Sequence, residues 1–427
     1  MKEEEVRVLV IIREYNPKTD CDAALAVDRM CEVGPSGEMS LFTDLLGDPV
    51  ARIRHSPAYL MLVAETGGPG RQIVGLIRGC VKTVTCGKKK KKKEENSAAG
   101  TDTDADADAA MAPVYTKLGY LLGLRVSPSH RRMGIGMKLV RKMEEWFGEE
   151  GAEYAYMATE KDNAASIELF TGRCGYTKFR TPSILVHPVF AHRLRIPRRV
   201  SIVRLHARDA EALYRKRFAA TEFFPRDVDA ILDNPLSLGT FVAVVEEEEG
   251  LGLGFRWRGA EEFVAAPPGS WAVASVWDCG GVFRLEVRGA SRLRRAAAAA
   301  SRAADRAAPW LGVPAVPDVF RPFAAWFVYG LGGDGPAAPA AAAALFRHAH
   351  NMARGRAAVV ATEVAACEPL RRAIPHWRRL SCAEDLWCAK RLSQVPDDDD
   401  EDEEEEELGD WTKSAPAPSI FVDPREV

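Results

Sequence analysis

The chain has 427 residues, more than one hydrophobic core usually supports, and this length indicates two domains. Its formal net charge of -3 excludes a strongly basic or acidic protein, although a lysine run at 88–93 and an acidic run at 397–407 nearly cancel. No apolar stretch reaches the roughly 18 residues that span a bilayer, and the acidic first residues are unlike a secretory signal. We therefore expect an intracellular protein without membrane contact.

Apolar runs and helical spacings alternate along the first 193 residues. They predict, in chain order, a strand at 7–13, helices at 23–30 and 39–46, strands at 59–64, 73–84 and 115–126, a helix from 135, a strand at 154–159 and a helix at 164–170. We expect residues 87–112 to form a disordered loop, because they contain the lysine run and a stretch of aspartate and alanine. This order predicts a mixed α/β domain over residues 1–193.

Residues 194–395 repeat this order weakly and predict a second domain. The clearest indication of the repeat is an Ala-Thr-Glu sequence that ends an apolar strand in each half, at 158–160 and at 361–363. The acidic run must remain solvated, so we expect residues 396–427 to be a spacer and tail. The nine cysteines form no Cys-x-x-Cys pair or Cys/His array, which favours reduced thiols and predicts no structural zinc.

One loop carries the clearest chemical signal. Residues 131–136 read Arg-Arg-Met-Gly-Ile-Gly between a predicted strand and an amphipathic helix. The first N–H groups of a helix have no intrahelical partner, and the helix dipole and two arginines add positive potential, so the loop can bind a pyrophosphate. The glycines let the backbone approach the anion closely. An ordinary helix start with a basic first turn is the alternative that the loop alone leaves open.

This loop is part of a larger resemblance. Together with residues 124–126, Asn163 and residues 169–176, it resembles motifs A and B of the GNAT acetyltransferase superfamily. The resemblance covers about residues 118–180 and implies an α/β fold of the GNAT type, a mixed central sheet flanked by helices. Residues 194–395 would then be a second, degenerate GNAT-like repeat.

The resemblance also implies a function. Members of the superfamily transfer an acetyl group from acetyl-CoA to an amine, which here includes a protein lysine as a candidate acceptor. The backbone at 124–126 would pair with the pantetheine arm, the loop would hold the pyrophosphate, and Asn163 would contact the cofactor further on. The cofactor-binding residues implied in this way are Leu124, Arg125, Val126, Arg131, Arg132, Met133, Gly134, Ile135, Gly136 and Asn163.

A narrower resemblance spans nearly the whole chain. Residues 115–140, 221–244, 359–388 and 419–427 are similar to the plant HOOKLESS family, which implies a nuclear N-acetyltransferase that regulates growth. The lysine run is typical of nuclear import signals, with a solvated loop as the alternative. No nucleic-acid-binding fold is recognisable, so we predict no sequence-specific contact with nucleic acid. The sequence leaves the oligomeric state open.

Acetyl transfer requires a neutral amine, whereas a lysine with a pKa near 10.4 is mostly protonated at pH 7. Glu160 is the general base that we predict, and Tyr120 is predicted to orient water or protonate the departing thiolate. The alternatives are a surface glutamate and a core tyrosine. Many superfamily members carry a tyrosine directly after the Leu169 position, where this chain has Phe170, which has no proton to give. Either Tyr120, Tyr176 or water then supplies the proton, or the domain binds acetyl-CoA with weak or no turnover. A non-catalytic acetyl-CoA-binding regulator is therefore the alternative function.

A rival motif lies in the second half. Residues 330–335 read Gly-Leu-Gly-Gly-Asp-Gly between an apolar strand and a helix, which formally matches a dinucleotide-binding loop. The acidic residue that should follow after about 20 positions lies further along, at Glu363. The repeat interpretation instead makes this loop a counterpart of 131–136 without its arginines. His348 and His350 cannot share one helix face, so no metal site is predicted there.

Overall fold

The computed structural model of the chain describes residues 9–31, 39–68, 70–91, 111–246, 255–392 and 410–427. The strands are β1 (Val10–Glu14), β2 (Ser40–Asp44), β3 (Ala58–Thr66), β4 (Ile73–Lys91), β5 (Met111–Val126), β6 (Tyr154–Glu160), β7 (Thr177–Arg180), β8 (Ser183–Pro188), β9 (Val200–Leu205), β10 (Ser237–Val245), β11 (Trp271–Asp278), β12 (Arg284–Arg288), β13 (Ala325–Asp334), β14 (Val359–Val364) and β15 (Asp385–Arg391). The α-helices are α1 (Cys21–Met30), α2 (Ile135–Glu149), α3 (Ala164–Ile167), α4 (Ala207–Phe218), α5 (Val228–Leu232), α6 (Ala260–Ala265), α7 (Arg292–Ala307) and α8 (Ala338–Ala353). Helix α3 continues into a π-helical turn, Glu168–Arg173.

These strands form two large mixed sheets and one small pair. The first sheet has the order β1-β3-β4-β5-β6-β15-β7, the second has the order β8-β14-β13-β11-β10-β9, and β12 pairs with β2. The prediction of an α/β fold with a mixed central sheet flanked by helices is confirmed. Within the described residues, no helix is long and apolar enough to cross a membrane.

The two sheets exchange strands. β15, from the second half of the chain, lies between β6 and β7 in the first sheet, and β8, from the first half, forms an edge of the second sheet beside β14. The predicted boundary between residues 193 and 194 therefore does not separate two independent units. The boundary has to be corrected because Asp385 of β15 and Glu160 of β6, which are 225 residues apart in sequence, pair in a ladder that no local pattern reveals.

Helices cover the outer faces of the sheets, and the inner faces meet. The apolar face of α2, with Leu139, Met143 and Phe147 fully buried, packs on the outer face of the first sheet. Helix α8 covers the second sheet in the same way. One shared core between the sheets contains side chains from both, such as Tyr156 of the first and Phe327 of the second.

Residues 410–427, which we call the bridging segment, insert Trp411 and Phe421 into this shared core. Trp411 and Phe421 are almost completely buried, and the Trp411 indole Nε1 donates a hydrogen bond of 2.7 Å to Glu222. The prediction of a tail at 396–427 is thus corrected for these residues, because the neighbouring acidic run hid an apolar segment. Residues 393–409, which include the acidic run, lie outside the described residues.

Two further predictions need correction. Residues 39–46 were predicted to be helical, but β2 forms there because it pairs with β12. The predicted loop at 87–112 is shorter at both ends, because the ladder between β4 and β5 continues to Lys91 and Met111. Residues 92–110 of that predicted loop lie outside the described residues.

Candidate active site

The two central strands of the first sheet separate along part of their length. β5 and β6 run parallel and pair over four residues, from Leu118 opposite Tyr154 to Leu121 opposite Met157. Both strands continue, but no further pairs form between them. Beyond this point β5 pairs only with β4, and β6 pairs only with β15. The backbone of β5 after Leu121 therefore faces an opening in which an extended ligand can take the place of a strand.

A bulge marks the start of this opening. The register between β4 and β5 shifts between Leu76 opposite Arg125 and Arg78 opposite Leu122, so β5 carries one extra residue. Gly123 lies in the bulge with a φ of 61°, in the left-handed region. A Cβ atom at Gly123 would come within 2.7 Å of Nη1 of Arg78, so a larger residue would be strained here.

The loop at 131–136 follows β5 and leads into α2. Arg132 and Gly134 have positive φ values of 64° and 76°, and α2 begins at Ile135. In the described residues, the N–H groups of 131–134 make no hydrogen bond to the chain. Consecutive free N–H groups at a helix start form a concave anion site. The loop therefore has the geometry that the sequence predicted for a pyrophosphate.

The two glycines of the loop serve different purposes. No atom lies within 4 Å of a Cβ placed on Gly134, so its left-handed backbone, and not crowding, favours glycine there. A Cβ on Gly136 would lie 3.3 Å from Cδ2 of Leu169, which shows that the start of α2 packs closely on the π-helical turn. Arg131 donates from Nε to the Val126 carbonyl at 3.3 Å and so fastens the loop to β5.

Most of the residues predicted to bind the cofactor lie together along this opening. Leu124, Arg125 and Val126 form the open edge of β5, and the loop at 131–136 continues from it. Asn163 lies directly after β6 and caps α3, because its Oδ1 accepts a hydrogen bond of 3.2 Å from the Ser166 N–H. Phe170 is buried and packs edge-on against Tyr176, so it belongs to the core.

Tyr120 lies on the inner face of the first sheet. Its ring stacks on Tyr156 with a centroid distance of 4.5 Å, and only 8% of the residue is exposed. Burial is the main reason why the pKa of Tyr120 lies well above its ordinary value. The hydroxyl therefore keeps its proton at neutral pH.

Three carboxyl groups lie where β6, β14 and β15 end or begin. Glu160 is exposed and lies opposite Asp385 in the ladder between β6 and β15. Asp385 is only 6% exposed, and burial raises its pKa to about 6. Glu363 accepts a hydrogen bond of 3.1 Å from the indole Nε1 of Trp387. Of these three carboxyl groups, sequence reasoning proposed only Glu160 for catalysis, although the repeated Ala-Thr-Glu sequence also pointed to Glu363.

The bridging segment adds a fourth carboxyl group. Glu426 accepts a hydrogen bond of 2.6 Å from the Tyr156 hydroxyl and forms an ion pair of 2.6 Å with Lys82. Asp423 is bound by Arg425, which also pairs with Asp227 at 2.7 Å. Burial is the main cause that raises the pKa of Glu426. Sequence reasoning missed this network because it treated the segment as a tail.

Comparison with known proteins identifies the family. Residues 33–176, which contain the opening and the loop, match the model of the acetyltransferase (GNAT) family. The chain is 58% identical to a probable N-acetyltransferase HLS1-like of Arabidopsis thaliana, over 98% of this chain and 99% of that protein. It is 56% identical to the probable N-acetyltransferase HLS1 of the same plant, over 98% of this chain and 100% of the relative. The chain belongs to the GNAT acetyltransferase family.

A third relative extends this comparison. The acetyl transferase GW6a of Oryza sativa subsp. japonica is 41% identical, over 99% of this chain and 98% of the relative. Membership makes the chain an acetyltransferase of a family that uses acetyl-CoA. The family model ends at residue 176, so the second sheet and the bridging segment lie outside the matched region.

Within this GNAT protein, the second sheet contains a similar opening. β13 and β14 run parallel and pair over four residues, from Ala325 opposite Val359 to Val328 opposite Thr362. Both strands then continue without pairing with each other, while β13 remains paired with β11 and β14 with β8. Gly330 has a φ of 61° and lies at a register shift between β11 and β13, as Gly123 does in the first sheet.

The chain itself fills much of this second opening. A Cβ on Gly332 would overlap the ring of Phe218, and one on Gly333 would come within 2.5 Å of the Trp271 carbonyl. A cavity of about 340 Å³ remains, lined by residues 330–335, the start of α8, Glu368 and part of the bridging segment. Its lining contains two carboxylates, Asp334 and Glu368, and no lysine or arginine. The glycines thus allow close packing of the chain, and the site does not suit the phosphates of a dinucleotide.

The two histidines considered in the sequence analysis, His348 and His350, both lie on α8. His348 packs against Phe241 and His350 packs against His187, so the two imidazoles contact different neighbours. In the part of the chain that the structure describes, no group of three or more histidine, cysteine, aspartate or glutamate side chains could hold a metal ion.

Proposed function

We propose that this protein binds acetyl-CoA in the opening between β5 and β6 and transfers the acetyl group to an amine. The observation that carries the proposal is the continuity of two features. The unpaired edge of β5 at 122–126 leads directly into the loop at 131–136, whose N–H groups are free. A ligand with an amide-containing arm and a pyrophosphate fits both features at once.

The cofactor-binding residues predicted from the sequence have the following roles in this proposal. The backbone of Leu124, Arg125 and Val126 pairs with the amide groups of the pantetheine arm, as an added strand would. Residues 131–136 hold the pyrophosphate through their N–H groups and the charge of the helix start. Asn163 contacts the cofactor beyond the arm while its side chain caps α3. When bound, acetyl-CoA supplies an acetyl group activated as a thioester.

Tyr120 takes the role of proton donor in this proposal. The thiolate that leaves on acetyl transfer needs a proton, and Phe170 cannot supply one. Tyr120 lies at the last paired stretch of β5, and its raised pKa keeps the hydroxyl protonated. The base that accepts the amine proton is one of the carboxyl groups at the ends of β6, β14 and β15, among which Glu160 is the residue proposed from sequence.

The acceptor and the cellular setting are further parts of the proposal. We take the acceptor to be a protein lysine and the site of action to be the nucleus, in the regulation of plant growth. Resemblance to the plant HOOKLESS family and the lysine run at 88–93 support this part. Loss of nuclear fluorescence when Lys88–Lys93 are replaced by glutamine in a tagged protein would support the role of the run. Unchanged nuclear fluorescence would contradict it.

The direct test is acetyl transfer itself. The protein is mixed with acetyl-CoA and a library of peptides that carry lysine or a free α-amine, and thiol release and acetylated peptides are measured. We expect thiol release that depends on the peptide and that falls in Gly134→Asp. A protein that binds acetyl-CoA tightly but releases no thiol would instead be a non-catalytic regulator, the alternative that Phe170 favours.

A further inference from the structure

Two glutamates lie on equivalent strands of facing sheets. Glu160 ends β6, and Glu363 lies one residue before the end of β14. Ala361 packs against the shared core, and side chains two residues apart point to the same face of a strand, so Glu363 also lies on the inner face. The same alternation places Glu160 on the inner face of the first sheet, in line with Tyr156 and Ala158. The second sheet therefore directs a carboxyl group toward the first.

A residue of the first sheet holds Glu363 beside the opening. Trp387 of β15 donates from Nε1 to Oε1 of Glu363 at 3.1 Å. Trp387 lies opposite Ala158, the first residue of β6 beyond its last pair with β5. The Trp387 ring also packs against Tyr156 at a centroid distance of 5.3 Å. One oxygen of Glu363 is thus fixed at the point where the central strands separate.

The other oxygen of Glu363 is not bound by the chain. Among the described residues, Oε2 of Glu363 makes no hydrogen bond, and the side chain is half-buried. A base needs one anchored and one available oxygen, together with access for the group that gives up the proton. Glu160, in contrast, is exposed at the rim, where bulk water surrounds it.

The groups that face Glu363 are acidic. Burial is the largest cause that raises the pKa of Glu363, and the carboxyl groups of Asp385 and Glu426 add to it, while the hydrogen bond from Trp387 opposes it. The resulting pKa is about 8. Glu160 and Cys382 lie close to Asp385 on the other side of the cluster. Within the described ranges neither Glu363 nor Asp385 forms an ion pair, and Lys82 is already paired with Glu426.

A neighbouring carboxyl oxygen lacks a hydrogen-bond donor. Glu426 is only 8% exposed, and its Oε1 is buried without a partner in the described part of the chain, whereas its Oε2 is bound by Tyr156. Buried polar atoms are almost always paired. The chain itself places a donor beside this carboxyl group, because the ammonium group of Lys82 lies 2.6 Å from Oε2.

We propose that Glu363 accepts the proton of the acceptor amine, so that the second sheet completes the active site of the first. This inference rests on the proposed acetyl transfer. The acceptor ammonium gives one proton to the Glu363 carboxylate, and the neutral nitrogen forms a bond to the acetyl carbon while the bond between that carbon and sulfur breaks. The second nitrogen proton passes to the Tyr120 hydroxyl as that hydroxyl gives its own proton to the departing thiolate, and Glu363 releases its proton to water. The products are an acetylated amine, a free thiol and one proton.

The first readout needs no acetyl-CoA. Protonation of Glu363 changes the hydrogen bond of the Trp387 indole, so the fluorescence difference between the wild type and Trp387→Phe reports it. We expect this fluorescence difference to change with pH in one step whose midpoint lies near pH 8. When Glu363→Gln is compared with the double variant that also carries Trp387→Phe, this step should be absent. A midpoint below pH 6, or an unchanged step in Glu363→Gln, would overturn the proposal.

The second readout is the pH dependence of acetyl transfer to the peptide library. We expect Glu363→Gln to lower kcat/KM by about 100-fold and to remove the rise in rate around pH 8, while the affinity for acetyl-CoA stays within twofold. Glu384→Gln is the matched control, because Glu384 is an exposed neighbour of the cluster that pairs with Lys161. We expect it to change the rate by less than twofold.

The outcomes separate this inference from the function on which it rests. Turnover with an unchanged pH profile in Glu363→Gln would overturn the role of Glu363 and leave the acetyl transfer intact. A 100-fold loss in Glu160→Gln alone would return the role to Glu160. Absence of turnover in the wild type would contradict the proposed function. If Glu363→Gln fails to bind acetyl-CoA, Glu363→Asp replaces it, and a retained rise in rate with pH is then expected.

Discussion

The two sheets of this protein share an architecture but differ in the segment that follows the opening. Each has a parallel pair of four residues, a glycine at 61° in a bulge and a helix beyond it. In the first sheet, α2 begins at Ile135, twelve residues after Gly123. In the second, α8 begins at Ala338, only eight residues after Gly330. The longer connection of the first sheet contains the loop at 131–136.

The second opening is also occupied by the chain. Phe218 covers Gly332, and residues 419–421 of the bridging segment line what remains. Under the proposed function, strand geometry alone does not make a cofactor site. The proposal also requires a following loop with free N–H groups and positive charge, and an opening that the chain itself leaves empty.

The largest effect is expected where the two sheets are held together. Arg180 of the first sheet and Glu222 are both almost fully buried and form an ion pair of 2.6 Å. Glu222→Gln leaves the arginine charge without its partner, so we expect a loss of about 3–5 kcal/mol in the free energy of unfolding. Urea unfolding followed by fluorescence should show one transition, because the sheets exchange strands.

The matched control for Glu222→Gln is Glu262→Gln, which breaks an exposed pair with Arg258. Exposed pairs contribute little, so its effect should stay below about 0.5–1 kcal/mol. Two separate unfolding transitions in the wild type would contradict the view that the sheets share one core.

A pH effect should arise where the exchanged strand β8 enters the second sheet. Burial, with smaller contributions from His350 and His376, lowers the pKa of His187 from 6.5 to about 4. The unfolded chain therefore binds more protons than the native state between these values, so stability is complete above pH 6.5 and falls as the pH drops toward 4. The loss amounts to about 3 kcal/mol.

His187→Phe removes this titration while keeping a ring of similar size. We expect the free energy of unfolding, measured in urea from pH 7 to pH 4, to decline less steeply in this variant than in the wild type. An equally steep decline in both proteins would exclude His187 as the source of the acid sensitivity.

A smaller effect is expected at the filled opening. Phe218→Ala removes the ring that packs on Gly332, and because Phe218 is only partly buried we expect a loss of about 2 kcal/mol rather than the larger value of a full core deletion. The affinity for acetyl-CoA should not change, since no charge or free loop appears in the second sheet. A second acetyl-CoA site in Phe218→Ala would show that Phe218 alone closes that opening.

The sequence predicted the parts of this molecule whose signals are local. The loop at 131–136 could be predicted because glycine, arginine and the start of an amphipathic helix are neighbours in the chain. The two Ala-Thr-Glu sequences indicated the similarity between the two sheets.

Features that depend on distant pairing were not predicted. The insertion of β15 beside β6, and with it the hydrogen bond from Trp387 to Glu363, joins residues that no local periodicity connects. The strand at Ser40–Asp44 was taken for a helix because its partner, β12, is far away in sequence. The bridging segment was hidden by the acidic run before it, although Trp411 and Phe421 are the kind of residues that a core requires.

The central claim is that the first sheet alone provides the acetyl-CoA site, through the loop at 131–136. Gly134→Asp adds a negative charge to the loop where nothing crowds the side chain, and aspartate tolerates the left-handed backbone better than most residues. Gly148→Asp is the matched control, because it adds the same charge in open space at the other end of α2.

Calorimetric titration of acetyl-CoA into the wild type and these two variants tests the claim most directly. The account predicts one site per chain in the wild type, unchanged affinity in Gly148→Asp, and affinity at least about tenfold weaker in Gly134→Asp, which corresponds to about 1.4 kcal/mol. Two sites per chain, unchanged affinity in Gly134→Asp, or no binding by the wild type would contradict it.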